Sequence, residues 1–315
     1  MPGAAVACAL GVAIASGPAG AQQQPTVRWE TLAIEGVEAF NRGDNATALD
    51  RFQQALQFAA GFAADDQRRI NSIINLATAH RALHEYEAAQ FYLLEAIRLQ
   101  EAAGDPDLVM TLDALALTFE AQGLAGQAEP LLHRAVALLE ELAGVDHPFT
   151  GLVLEHLAAT VVALGRYDEA AAILGRIIDI RAANFGPSHR SLAPPLTRQG
   201  LAYIAVSRNL DAAEALRRAL AIWRVGPPPP AAELLLTLEA LVDLSQLLGR
   251  LKEAADYERQ VLLVLRVEHG GRGAALADEL DEYARLLRRA GDPAEAEQAE
   301  LEARHALAPV LSQLP

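Results

Sequence analysis

The sequence predicts an all-α protein built by stacking similar helical hairpins. Hydrophobic residues make up 52% of the chain and aromatic residues only 5%, because alanine and leucine supply most of the apolar side chains. Both residue types favour helices, and their modest size favours close packing between helices. The second observation is a related segment that recurs seven times along the chain at a nearly constant spacing.

Each copy of the segment is anchored by an alanine, and successive anchors are separated by 41, 39, 42, 42, 42 and 42 residues. A small or modest side chain lies twelve residues before each anchor, and another lies seven residues after it. Antiparallel helices approach closely only where small residues face each other and bulky side chains fill the gaps beside them. The anchors are Ala48, Ala89, Ala128, Ala170, Ala212, Ala254 and Ala296.

A bulky apolar residue lies four positions after the anchor in the first five copies. Glu258 and Glu300 take this filler position in the last two copies, so we expect weaker packing there, as in a solvent-facing terminal cap. The apolar fillers are Phe52, Leu93, Leu132, Leu174 and Leu216.

Glycine and proline segments separate the copies and predict where one helix ends and the next begins. The four prolines at 227–230 are interpreted as a stiff loop between repeats, since the period of 42 continues across them. The repeat array covers residues 29–306, between a short linker at 22–28 and a C-terminal tail at 307–315. The repeats start near residues 29, 70, 109, 151, 193, 235 and 277.

The small-bulky-small spacing resembles the tetratricopeptide repeat (TPR) over nearly the whole array. The period near 42, together with Gly-Arg-Tyr-Asp-Glu-Ala at 165–170, Ala-Glu-Pro-Leu-Leu at 128–132 and Gly-Val-Asp-His-Pro at 144–148, is similar to the kinesin-light-chain type. The resemblance implies a right-handed superhelical solenoid of about seven TPR helix-turn-helix repeats. It also implies binding of a protein or peptide.

The first 21 residues carry no charge, run apolar from Ala4 to Ala15 and end in Ala19-Gly20-Ala21. This pattern predicts a cleaved secretory signal and a periplasmic or secreted protein, although the usual positive charges before the apolar stretch are missing. The alternative is a cytoplasmic protein with an alanine-rich tail. Cys8 is the only cysteine and would leave with the signal, so we expect neither disulfides nor cysteine metal ligands in the mature chain. We also expect no transmembrane segment there.

The formal charge of −15 argues against nucleic acid as a partner, because phosphate would be repelled and the sequence contains no basic stripe. In the tetratricopeptide family, which this chain resembles, domains that bind an acidic C-terminus use a clamp of lysines, arginines and asparagines. This chain has Lys252 as its only lysine, so it lacks that set.

The first helix of each hairpin is expected to line the concave side of the solenoid. Positions spaced by three and four residues share one face of that helix, and they predict an apolar middle edged by carboxylates. An apolar segment carrying basic residues would suit such a groove, and a solvated helix face without a ligand is the alternative. The predicted partner-binding residues are Asn71, Arg81, Asp113, Glu120, Leu152, Glu155, Leu201, Ile204, Glu239 and Asp243.

The chemistry of an enzyme is not indicated. The sequence contains neither G-x-S-x-G nor a phosphate-cradling G-x-x-x-x-G-K-S/T, and we predict no catalytic residue, no cofactor and no metal. His80 and His84 are one helical turn apart, but no HExxH motif or third ligand accompanies them. His147 and His189 lie in loops between repeats, where a role in turn geometry is expected.

Three function hypotheses remain open. The leading one is an exported scaffold that holds a protein or peptide in its concave groove. The second is a regulatory subunit that restrains a separate enzyme, and the third is a small metallohydrolase centred on His80 and His84. The sequence does not indicate an oligomeric state.

Overall fold

The computed structural model describes residues 23–269 and 273–311, with side chains described over 28–268 and 273–307. The proposed signal at 1–21 lies outside the described residues. Every regular element in the described ranges is helical, and consecutive helices pack against each other in pairs. The predicted all-α repeat fold is therefore confirmed. None of the described helices is both long enough and apolar enough to cross a bilayer.

The chain divides into two compact units between Asp105 and Pro106. The first unit contains two hairpins, in which each helix packs on the next. Trp29 donates a hydrogen bond from Nε1 to Ser72 Oγ at 2.8 Å, and this bond ties the first helix to the third. The helices are α1 (Gln23–Asn41), α2 (Asn45–Ala59), α3 (Gln67–Ala82) and α4 (Tyr86–Ala103).

The second unit contains five hairpins, and a 3₁₀ turn at Arg190–Leu192 precedes its fifth helix. First helices of neighbouring hairpins also touch, as α5 touches α7 and α9 touches α11. The last helix continues to Leu311, beyond residue 306, where the sequence analysis ends the array. The helices are α5 (Leu108–Ala121), α6 (Ala125–Ala143), α7 (Pro148–Ala163), α8 (Tyr167–Phe185), α9 (Ala193–Ala205), α10 (Asn209–Trp223), α11 (Ala231–Leu247), α12 (Leu251–His269), α13 (Ala274–Ala290) and α14 (Pro293–Leu311).

The alanine anchors form the centre of each hairpin. All seven have 0% of their surface exposed, as expected where two backbones approach. A side-chain carbon added at Gly200 would lie 2.5 Å from Leu216 Cγ, and one at Gly36 would lie 2.4 Å from Phe52 Cε1. These distances are shorter than van der Waals contact, so the filler side chain occupies the space that glycine leaves open.

The prediction of a solvent-facing position at Glu258 is wrong. This side chain is only 2% exposed, comparable to the leucines at the equivalent position of other hairpins. Helix α13 packs on α12 and encloses the carboxyl, which the sequence pattern of α12 alone did not indicate. Glu300, at the same position of the last hairpin, is half-buried and forms an ion pair with Arg288.

The two loop histidines cap helices. His147 accepts a hydrogen bond at Nδ1 from the Phe149 amide at 3.3 Å, directly before α7. His189 accepts one in the same way from the Ser191 amide at 3.3 Å. Unpaired amides at a helix start need such acceptors, so both residues act in local geometry.

The turn inside each hairpin uses a left-handed backbone. Glycine takes this position in five hairpins, while His84 has φ 61° and Ser207 has φ 60° at the equivalent place. Side chains bearing a Cβ pay a steric penalty in this conformation.

Candidate functional site

The predicted partner-binding residues of the second unit lie on the first helices of its first four hairpins. We call this set the first-helix face. Side-chain contacts connect α5 to α7, and apolar packing connects α9 to α11, so the predicted positions lie on two pairs of neighbouring first helices. The face comprises Asp113 and Glu120 on α5, Leu152 and Glu155 on α7, Leu201 and Ile204 on α9, and Glu239 and Asp243 on α11.

Asp113 does not offer a free carboxylate. It is 6% exposed and its Oδ1 lies 2.6 Å from His156 Nδ1 on α7. Burial alone would lower the pKa of His156, but the hydrogen bond to Asp113 and the charges of Glu120 and Glu155 outweigh burial and raise it. The pair therefore joins α5 to α7 with a charge-assisted contact.

Two further predicted carboxylates are also engaged within the unit. Glu120 accepts a hydrogen bond from the Thr160 hydroxyl. Glu155 forms an ion pair with Arg181, whose guanidinium also donates to the Ser191 carbonyl at 2.7 Å. The acids at this end of the face thus have internal partners, which the spacing argument did not foresee.

The middle of the face carries apolar side chains. Leu201 and Ile204 are half-buried and pack against a cluster that includes Leu238 and Leu241 of α11. Leu152 is also half-buried on α7. These side chains keep part of their apolar surface in contact with solvent.

Glu239 and Asp243 differ from the acids on α5 and α7. Both are exposed, and neither has a hydrogen-bond or ion-pair partner among the described side chains. Burial of part of the carboxyl raises the pKa of Glu239, and the charges of Glu279 and Asp243 raise it further. Burial, followed by the charge of Glu282, raises the pKa of Asp243. This end of the face carries carboxylates surrounded by other carboxylates.

Glu258 completes this acidic group from the core side. Its Oε1 is buried without a hydrogen-bond partner. Burial raises the pKa of Glu258 to about 8, with further contributions from the charge of Glu279 and a hydrogen bond to it. We call Glu239, Asp243, Glu258, Glu279 and Glu282 the acidic junction, since they come from the three helices α11, α12 and α13.

The sequence pattern did not predict Glu258, Glu279 and Glu282 as candidate functional residues. A glutamate at a filler position that is otherwise leucine or phenylalanine was the available signal, because carboxylates are rarely fully buried unless they are paired. That signal was interpreted as a terminal cap. Glu279 and Glu282 lie on the side of α13 turned toward α12, outside the positions expected to face a ligand.

Two predicted residues lie in the first unit. Asn71 and Arg81 are both half-buried on α3, where Asn71 accepts a hydrogen bond from Gln67 Nε2 at 3.2 Å. Arg81 lies in the last turn of the helix, where a basic residue is favourable for the helix dipole.

The metallohydrolase hypothesis finds little support. His80 Nδ1 lies 2.6 Å from Glu85, and His84 Nδ1 lies 2.8 Å from Tyr86 Oη, so the two histidines engage different partners. The described residues do bring Glu129, His133 and Glu169 within 4.8 Å of one another.

The guanidinium of Arg166 pairs with both carboxylates of that second group, at 2.6 Å from Glu129 and in direct contact with Glu169. A cation already occupies the space between the acids, so the group resembles an exposed ion-pair network more closely than a metal site.

Comparisons with known proteins agree with this architecture. The family model described as "Tetratricopeptide repeat" matches residues 107–183 and again 153–224. Human mitochondrial tetratricopeptide repeat protein 19 is 29% identical over 179 residues, which is 49% of this chain and 47% of the relative. The chain thus spans about half the length of this curated relative.

Solved structures share the fold. A crystal structure described as a Podosopora anserina kinesin light chain with nearly identical TPR-like repeats has a TM-score of 0.57 at 22% identity, covering 64% of this chain and 96% of that one. The apo form of RapI has a TM-score of 0.60 at 10% identity, covering 90% of this chain and 99% of that one.

The chain is therefore similar to tetratricopeptide repeat proteins, and its residues 107–224 match the family model. Its repeats have the fold of the kinesin-light-chain type, which confirms the resemblance drawn from the sequence. This fold is a general scaffold for protein–protein interaction and is generally non-enzymatic.

Proposed function

We propose that this chain is an interaction scaffold that holds a segment of another protein along the first-helix face of its second unit. The observation that carries the proposal is the arrangement of half-buried apolar residues beside exposed, unpaired acids. Leu201 and Ile204 offer apolar surface, and Glu239 and Asp243 follow on the next first helix. A partner segment with apolar residues followed by a basic residue would complement both parts.

The acids that already have internal partners limit where a basic residue of the partner can bind. Asp113 and Glu155 are neutralised by His156 and Arg181, so they attract a basic partner less than their number in the sequence implies. Uncompensated negative charge is concentrated at α11. We therefore place the basic end of the partner near α11 and its apolar part near α9.

The proposed role is binding without catalysis. The proposal follows the general character of the tetratricopeptide fold, which is an interaction scaffold and is generally non-enzymatic. We also propose that the protein acts after export, on the basis of the uncharged, alanine-rich sequence at 1–21. The N-terminal sequence of the purified native protein tests export, since cleavage predicts a start at Gln22.

Partner capture with charge-reversal variants tests the binding proposal. The wild-type chain is immobilised beside a Glu239→Arg, Asp243→Arg double variant and a control that reverses the exposed Glu214 and Glu268 on the second helices α10 and α12. We expect partners that bind the wild type and the control but not the first-helix variant. Partners held equally by all three would contradict the proposed face, and an enzyme among the captured proteins would favour the regulatory-subunit hypothesis.

A further inference from the structure

The acidic junction lacks the internal cation that balances the equivalent place elsewhere in the array. Asp113 lies fifteen residues before its anchor, and His156, its partner, lies fourteen residues before the next anchor. The same two positions around the last repeats are Glu239 and Glu282. Both positions at the acidic junction thus hold acids, whereas the hairpins of α5 and α7 pair an acid with a histidine there.

The filler position adds a third departure from the repeat pattern. Leu132 fills the gap behind the Asp113–His156 pair, whereas Glu258 takes that position at the junction. Glu258 is 2% exposed, and its Oε1 has no hydrogen-bond partner. A buried, unsatisfied carboxyl oxygen costs free energy that a leucine at the same position would not. If Glu258 has a function, the benefit of that function must offset this loss of folding stability.

The five side chains of the acidic junction differ in burial, from exposed to fully buried. Glu239 and Asp243 are exposed, Glu279 and Glu282 are half-buried, and Glu258 is buried. Among the described side chains, the only cation in contact with the group is Arg285. It pairs with Glu282 at 2.8 Å and is 67% exposed. Because this pair is exposed and involves only Glu282, it leaves Glu258 and Glu279 without a neutralising cation among the described side chains.

We propose that the acidic junction is a subsite for one cationic side chain, a lysine ammonium or an arginine guanidinium, of the protein bound to the first-helix face. The cation would pass the exposed acids of α11 and reach the unpartnered Oε1 of Glu258. This inference rests on the proposed function and names the chemistry that the α11 end of the face recognises.

A basic side chain fits the junction better than a metal ion does. The ligand atoms of the five acids are not gathered within 4.8 Å of one another, unlike those of Glu129, His133 and Glu169. A divalent ion needs several oxygens at about 2.0–2.6 Å, whereas an ammonium group accepts dispersed carboxylates at hydrogen-bond distance. The high pKa of Glu258 also means that binding a cation at neutral pH should release a proton.

Calorimetric titration of the full-length chain with three matched peptides tests the subsite. The peptides share a short leucine- and alanine-rich sequence and carry lysine, norleucine or glutamate at the centre. We expect the lysine peptide to bind about tenfold more tightly than the norleucine peptide, because one charge-assisted contact is added. Its affinity should rise between pH 6 and pH 8.5, with proton release visible as a dependence of the heat on the buffer.

Glu258→Leu should remove both the preference for lysine and the proton release, and it should fold because leucine is the usual filler. Glu300→Leu is the matched control, since it makes the same change at the same repeat position outside the junction. A preference for lysine that survives Glu258→Leu, or the absence of binding by the lysine peptide, would overturn the inference.

Two other outcomes separate this inference from the proposed function. Equal binding of the lysine and norleucine peptides would refute the cation subsite while leaving a face that accepts apolar segments. Stoichiometric Ca²⁺ binding that disappears in Glu258→Leu would replace the proposed side-chain subsite with a metal site.

Discussion

His84 and Ser207 hold a backbone conformation that the equivalent turns of five other hairpins give to glycine. Their φ values are 61° and 60°. A left-handed residue with a Cβ costs about 1–2 kcal/mol, while glycine loses roughly 0.5–1 kcal/mol more conformational entropy on folding. The steric term is larger, so the glycine found at the other turns is the more stable choice.

We therefore expect Ser207→Gly to stabilise the second unit by about 0.5–1 kcal/mol. Ser207 is a suitable site because its side chain is exposed. Urea denaturation followed by circular dichroism measures the change. Ser188→Gly, in the loop before α9, is the control for a general effect of glycine; a loss of stability at position 207 would show that the serine makes a contact worth more than the strain.

Two glycines inside first helices should respond in opposite directions to the same substitution. An alanine Cβ at Gly200 would lie 2.5 Å from Leu216 Cγ, whereas one at Gly151 would meet Ile180 at 3.8 Å. We expect Gly200→Ala to destabilise by about 1–3 kcal/mol through overpacking. Gly151→Ala should stabilise by about 0.5–1 kcal/mol because alanine favours the helix. Equal effects in thermal denaturation would contradict the close approach of α9 and α10.

At the scale of helices, the contact between Asp113 and His156 couples α5 to α7. The pKa of His156 is raised in the folded chain, so the folded state binds its proton more tightly than the unfolded state does. The stabilisation is fully present below the unfolded histidine pKa and is lost as the pH rises through the folded value. Deprotonation of His156 therefore weakens the contact between α5 and α7.

His156→Gln should remove that pH-dependent part of the stability. We expect the wild type to lose stability relative to the variant as the pH rises from about 6 to 8, with a difference on the order of 1 kcal/mol. Denaturant midpoints at several pH values measure it. Parallel pH profiles for the two chains would contradict a charged pair, and His133→Gln, at an exposed histidine on α6, provides the control.

The acidic junction gives the folding stability a second pH dependence, which falls in a different pH range. The pKa of Glu258 rises from the ordinary 4.5 to about 8, so the folded state retains a proton that the unfolded state has lost. Stability should fall as the pH increases from 4.5 toward 8. Glu258→Leu removes this dependence and should stabilise the chain at pH 8 by several kcal/mol, up to about 4.

Glu300→Leu should leave the pH dependence unchanged, since it lies outside the junction. Thermal denaturation at pH 5 and pH 8 distinguishes the two variants. A Glu258→Leu chain with wild-type stability at both pH values would show that Glu258 is ionised and solvated, contrary to its burial. Together with loss of the lysine preference, greater stability would mark Glu258 as a residue retained for binding.

At the scale of the whole chain, the repeat pattern predicted the fold well. The anchors and apolar fillers are local features with a fixed spacing, and each is buried where the pattern places it. Such features depend on nearest neighbours alone, so a single sequence contains enough information to place them.

Charge pairing between hairpins was harder to predict. Asp113 and His156 are 43 residues apart and meet only because neighbouring first helices align in one register. The spacing within each first helix predicts a free acidic edge at Asp113, Glu120 and Glu155, because it contains no information about the side chains of the next hairpin that face them. It also missed the acids of α13, because burial of Glu258 depends on a helix from the following repeat.

The most direct test of the proposed scaffold is site-specific photo-crosslinking from matched exposed leucines. Leu236 is 37% exposed on α11 and Leu210 is 78% exposed on α10, so each position tolerates a benzoylphenylalanine side chain on a different helix of the hairpin series. We expect position 236 to crosslink to a partner segment that contains lysine or arginine beside apolar residues, and we expect no such crosslink from position 210. Crosslinks confined to position 210 would contradict the central claim that the first-helix face binds the partner.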